Sequence, residues 1–139
     1  MNTTTNAAAA IHEILTNPDD GVVGVVDNLV AACHEQMIEI DWQGDHCRVK
    51  SGNGHWEEFH APIKKSAFRA VLARIASLCN ESAPNSVTPY GGHGRLPIGA
   101  HPACNVRIVF TNTTAEQMLR LKIDCADSCT LNGQGSRAR

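Results

Sequence analysis

The chain is poor in aromatic side chains, with Phe 3, Trp 2 and Tyr 1 among 139 residues. A ligand pocket would find few stacking groups here. There is no excess of positive charge either: Lys+Arg 12 against Asp+Glu 14 gives a net charge of -2. A broad basic surface for phosphate backbones or anionic lipid is therefore not expected, and nucleic acid is a poor choice of partner. Long apolar runs are missing. Val22 to Val26 is too short to span a bilayer, and Ala70 to Leu78 is interrupted by Arg74 and Ser77, so no membrane insertion is expected. Met1 to Ala10 lacks the charged start and long apolar centre of a secretory signal, which leads us to expect a cytoplasmic location. Close cysteine pairs are scarce as well. The six cysteines are spread singly apart from Cys125 and Cys129, so reduced thiols, several of them buried, are expected rather than a disulfide framework. No internal repeat is present.

What the sequence does contain is a regular alternation of helix and strand patterns. Ala7 to Leu15 can form a loose helical turn, but Asn17-Pro18-Asp19-Asp20-Gly21 breaks any helix, so residues 1–20 are expected to form a flexible leader and the compact domain to run over 21–124. Val22, Val25, Val26, Leu29, Val30 and Cys33 recur at the spacing of one helix face. Met37 to Asp41, Cys47 to Lys50 and Trp56 to Phe59 read as a three-strand meander, turning at Gly44-Asp45 and Gly52-Asn53-Gly54. Lys64 to Cys79 places Phe68, Val71, Leu72, Ile75, Leu78 and Cys79 on one face of a second helix. Gly91-Gly92-His93-Gly94 is expected to be a loop. Arg95 to Ile98, Asn105 to Phe110 and Met118 to Ile123 are expected to be three more strands, before a flexible tail over 125–139. The fold class this implies is α+β: an antiparallel sheet of about six strands with two main helices packed on one face.

Catalytic constellations are weak. The chain has no Gly-x-x-x-x-Gly-Lys-Ser/Thr phosphate loop, so autonomous ATP hydrolysis is not expected. His46, Cys47, His55 and His60 invite a metal reading but lack paired ligand spacing, and no metal or other cofactor is expected. Cys33-His34 are neighbours whose side chains diverge on a helix, and Cys104 with His101 has no identifiable acid. Glu57 and Glu58 fall on opposite faces of one strand; as edge-strand charges they would discourage aggregation.

Several segments occur in an order that resembles the PAS-like second amino-terminal domain of type II secretion and type IV pilus assembly ATPases. Gln36-Met37-Ile38-Glu39-Ile40-Asp41-Trp42 is similar to that family's Ser-Asp-Ile-His-Ile-Glu-Pro strand. Arg48-Val49-Lys50, Pro62, Ala73-Arg74-Ile75, Pro89 through Gly94-Arg95, Val106-Arg107-Ile108 and Leu119-Arg120-Leu121 follow. The family's Asp and His fall on Met37 and Glu39, so the role of that His is not carried over. The resemblance implies a PAS-like fold. In the full-length enzymes this domain packs on a neighbouring motor domain and its arginines approach nucleotide phosphates; Arg48, Arg74, Arg95 and Arg107 occupy matching positions.

Three functional readings follow. The first is a non-catalytic protein-interaction or regulatory module whose partner is a secretion or pilus ATPase, or a second copy of itself. Its candidate surface is Arg48, Arg74, Arg95 and Arg107 with Trp42 and Trp56, since Trp and Arg are enriched among interface anchors. The second is a small-ligand sensor, which requires an apolar pocket against the sheet. The third is a small Cys/His-dependent enzyme, which requires a convergent nucleophile, base and oxyanion site. The absence of a motor or a catalytic group favours the first.

Overall fold

The computed structural model describes residues 3–16, 21–33, 37–52, 56–61, 63–98 and 101–125. In chain order the elements are α1 (Thr3–Thr16), α2 (Gly21–Ala32), β1 (Met37–Gln43), β2 (His46–Gly52), β3 (Trp56–Ala61), α3 (Lys65–Ser82), β4 (Val87–Thr88), β5 (Gly91–Ile98), β6 (His101–Asn112) and β7 (Gln117–Cys125). The strands form a single antiparallel sheet in the order β3-β2-β1-β7-β6-β5-β4. Six strands carry the sheet, and β4 adds two residues at one edge. The architecture is α+β, as the alternation of patterns leads one to expect.

Alternation dictates how the sheet is used. Ile38 and Ile40 of β1, Cys47 and Val49 of β2, Val106, Ile108 and Phe110 of β6, and Leu119 and Leu121 of β7 are all buried and share one face. The residues between them form the opposite face. Helices cover the apolar face: α3 supplies Phe68, Val71, Leu72, Ile75, Ala76 and Cys79, and α2 supplies Val25, Val26 and Leu29. Each such side chain contributes roughly 1.5–3 kcal/mol when fully buried. α3 lies over β4 to β7, α1 over β2 and β3, and α2 packs between the two helices.

Local chemistry sets the joints. Gly44, at φ +66, opens the two-residue loop that closes β1 onto β2 with Gln43 opposite His46. Glycine at the first loop position suits a primed hairpin turn, which matches strand twist. At the carboxyl end of α3, Asn80 donates from Nδ2 to the Val87 carbonyl at 3.1 Å and accepts the Val87 N–H at 3.0 Å. This pins β4 beside the helix. Arg69 Nε donates to Asn112 Oδ1 at 2.9 Å, tying α3 to the end of β6.

The structure departs from the expectations in three places. The expected leader contains α1, whose Ile11 and Leu15 are buried in the core, so the folded unit begins before the expected boundary at Gly21. Two apolar residues four apart suffice because a covering helix needs only one stripe. The expected glycine loop is the start of β5. A Cβ at Gly91 would lie 2.8 Å from the Phe110 carbonyl oxygen, and one at Gly94 would lie 2.6 Å from Cys79 Sγ. These glycines serve close approach, and at Gly91 also a φ of +154. Finally, α3 extends to Ser82, beyond its expected end at Cys79. The expected tail lies outside the described residues beyond Cys125, the last residue of β7.

Candidate functional site

The uncovered face of the sheet carries the charges, and the register divides it into two halves. Across β3, β2, β1 and β7 the charges pair. Arg48 donates from Nε and Nη2 to the two Asp41 carboxylate oxygens at 3.2 and 2.9 Å, and its Nε lies 3.5 Å from Glu58 Oε2. The hydrogen bond to Asp41 holds the Arg48 guanidinium above its ordinary pKa. Glu39 receives Arg120 Nε and Nη2 on Oε2 at 3.1 and 2.7 Å, with Lys50 Nζ 3.7 Å from Oε1. Farther along, the His46 and His60 rings lie 4.0 Å apart at 36°. Asp45 Oδ1 sits 3.0 Å from His46 Nδ1, and that hydrogen bond lowers the Asp45 pKa.

Across β5, β6 and β7 the pattern changes. Arg95 stands opposite Arg107, and Arg107 stands opposite Lys122. All three are exposed. The Asn112 N–H donates to the Tyr90 carbonyl at 2.8 Å. Alternation from that bond makes Arg95 and Arg107 a non-hydrogen-bonded pair, the kind in which Cα atoms approach to about 4.5 Å and side chains are closest. Like charges directly opposite one another are destabilising. The single carboxylate answering this row among the described residues is Asp124, with Oδ2 3.6 Å from Arg95 Nη2. Beside the row, at the carboxyl end of α3, a cleft of about 370 Å³ is lined by Ser82, Ala83, Ser86, Gly94, Arg95 and Arg107, among others.

The structure therefore separates the candidate surface residues. Arg95 and Arg107 come together, joined by Lys122, which the sequence reading did not include. Arg48 is committed to Asp41 and Glu58 in the paired half. Arg74 lies on α3, in the layer covering the other face; it is half-buried, and its Nε is buried without a hydrogen-bond partner. Trp42 is partly buried against the core with its Nε1 donating to the Gly44 carbonyl at 2.9 Å, which makes it a packing residue rather than an exposed anchor. The Trp56 side chain lies outside the described residues. Lys122 could have been found by noticing that Arg120 and Lys122 alternate with Leu119, Leu121 and Ile123 and so share the uncovered face.

Gly91 to Gly94 are extended in β5, with main-chain groups alternating between β6 and the outer edge, so their amides do not converge as a phosphate cradle would require. Glu58 does sit on an edge strand, since β3 ends the sheet, and it is engaged with Arg48. Cys33, Cys47 and Cys79 are free and buried. Burial pushes the Cys33 and Cys47 thiols up to about 12, leaving them poor nucleophiles at neutral pH. Cys104 is disulfide-bonded, so the expectation of reduced thiols fails there and Cys104 is not an available nucleophile. Cys125 stands opposite it in the β6–β7 register, a proximity that sequence spacing does not show. Among the described residues, no three or more His, Cys, Asp or Glu side chains are gathered to hold a metal ion, and no helix is long and apolar enough to cross a membrane. No protein-family profile matches the chain. No curated protein matches it significantly.

Proposed function

We propose that this protein is a non-catalytic interaction module that engages an acidic surface of a protein partner through the cationic half of its uncovered sheet face. One observation carries the reading: Arg95, Arg107 and Lys122 stand side by side across three strands with Asp124 as their one carboxylate neighbour among the described residues. A row of like charges opposes folding, whereas an acidic partner converts the same row into a source of association rate and specificity. The paired half, built from the same residue types on the same face, supports this by contrast.

The resemblance to the PAS-like domain of secretion and pilus ATPases supplies the partner class: such an ATPase, or a second copy of the chain. Helices on one side of an antiparallel sheet agree with that resemblance. A cytoplasmic location belongs to the same reading, and the free thiols of Cys33, Cys47 and Cys79 fit it. The disulfide at Cys104 points the other way.

The test is affinity capture from native cell extract with the purified chain, compared with a folded Arg95→Glu/Arg107→Glu variant. Recovery of a secretion or pilus ATPase by the wild type and its loss with the variant supports the proposal. Equal recovery by both forms, or no specific protein with either, overturns it.

A further inference from the structure

The sheet edge next to the cationic row is left partly open. β4 pairs only with Gly91 and Gly92, through Thr88 and Val87, while β5 continues to Ile98. From His93 onward, β5 has β6 on one side and no described strand on the other. The Gly91 carbonyl is turned toward β4, where it accepts Thr88 Oγ1 at 3.1 Å. Since main-chain groups alternate sides along a strand, those of His93 and Arg95 also point outward. Pro97, which has no N–H, and the register shift between Pro97 and Ile98 end this stretch. Both devices are common protections of sheet edges, and among the described residues no strand pairs with the outward groups of His93 and Arg95, which face the cleft at Ser82, Ala83 and Ser86. The cleft at Ser82, Ser86 and Gly94 opens onto the same stretch, with Arg95 and Arg107 in its lining.

We infer that the edge of β5 from His93 to Leu96 receives an added strand from the partner: an extended peptide segment carrying acidic side chains. The inference rests on the proposed function and names the form of the partner that the cationic half recognises. Main-chain hydrogen bonds to His93 and Arg95 supply the docking geometry, and alternate side chains of the incoming strand fall on the two faces of the sheet. Those on the uncovered face meet Arg95 and Arg107, which select carboxylates. Those on the other face lie toward Ser82 and Ser86 at the carboxyl end of α3, since the space over Gly94 itself is filled by Cys79.

The test leaves the protein unaltered and varies the peptide. The probe is a heptapeptide alternating Glu with Val or Thr, together with two derivatives of the same sequence and charge, each N-methylated at one of the two alternating sets of amides. Fluorescence anisotropy gives affinities, and amide exchange at His93 and Arg95 gives the contact. We expect the parent peptide to bind and to slow exchange at both amides. One methylated derivative loses at least tenfold in affinity and the other binds as the parent does. Equal binding by all three peptides overturns the strand addition while leaving the charge-based function intact, and equal loss by both derivatives overturns it too. If the parent fails to bind while charge-dependent capture of the ATPase persists, the inference alone falls. If that capture is also insensitive to Arg95→Glu/Arg107→Glu, the proposed function falls with it.

Discussion

The two halves of the uncovered face are built from the same residue types in the same sheet, yet their electrostatics are opposed. In the β3-β2-β1-β7 half every arginine has a carboxylate within 3.5 Å: Arg48 has Asp41 and Glu58, and Arg120 has Glu39. In the β7-β6-β5 half three cations stand in a line beside one carboxylate at 3.6 Å. The first arrangement is complete within the fold and needs nothing from outside. The second is a standing cost that an acidic partner would relieve. Surface charge as such is therefore a poor guide to function; what separates a structural network from a binding site is whether the register supplies the counter-charge.

The largest expected effect probes the packed layer beneath both halves. The Cys33 and Cys47 thiols ionise near 9.0 ordinarily and at about 12 in the fold, because burial penalises the thiolate. Their folded pKa is raised, so their contribution is fully present below pH 9 and is lost as pH rises toward 12. Stability measured by urea titration should fall above pH 9 with a slope of about 1.4 kcal/mol per pH unit for each thiol. A flat profile would show that these thiols are not buried. Next comes Gly94→Ala, which places a methyl 2.6 Å from Cys79 Sγ beneath the cationic half. It should cost about 1–3 kcal/mol by overpacking, and unchanged stability would show that β5 and α3 are not in contact there.

The comparison itself is sharpened by two charge changes. Glu39→Ala removes the acceptor of both Arg120 and Lys50, turning part of the paired half into a second cationic row. Denaturation should show a loss of about 1–2 kcal/mol. Arg107→Gln removes the middle of the existing row and should instead stabilise by about 0.2–1 kcal/mol. If both substitutions destabilise alike, the two halves do not differ as described.

Much of the fold was legible in the sequence because it is written in period. Ile38-Glu39-Ile40-Asp41 announces a half-covered strand, and Phe68, Val71, Leu72 and Ile75 announce the helix that covers it. α1 was legible only as a loose helical turn over Ala7 to Leu15; that it packs on the core was not, since Ile11 and Leu15 are few among alanines and only the tertiary contact reveals their use. Gly91 to Gly94 misled because glycine signals loop freedom and close packing with the same residue, and the neighbours that decide between them, Phe110 and Cys79, are distant in sequence. Two of the three residues of the cationic row, Arg95 and Arg107, were named from the resemblance. Its separation from Arg48, and the addition of Lys122, required the β1–β2 and β6–β7 registers. Those registers are set by turn geometry and by which face is buried, not by local composition.

The most direct test of the account is to neutralise each half and measure partner capture and stability together. Arg95→Gln/Arg107→Gln in the cationic half is compared with Arg48→Gln/Arg120→Gln in the paired half. The account predicts that the first pair abolishes capture while leaving stability equal or higher, and that the second lowers stability and leaves capture intact. Loss of capture from the paired-half variant with retention by the cationic-half variant would contradict it.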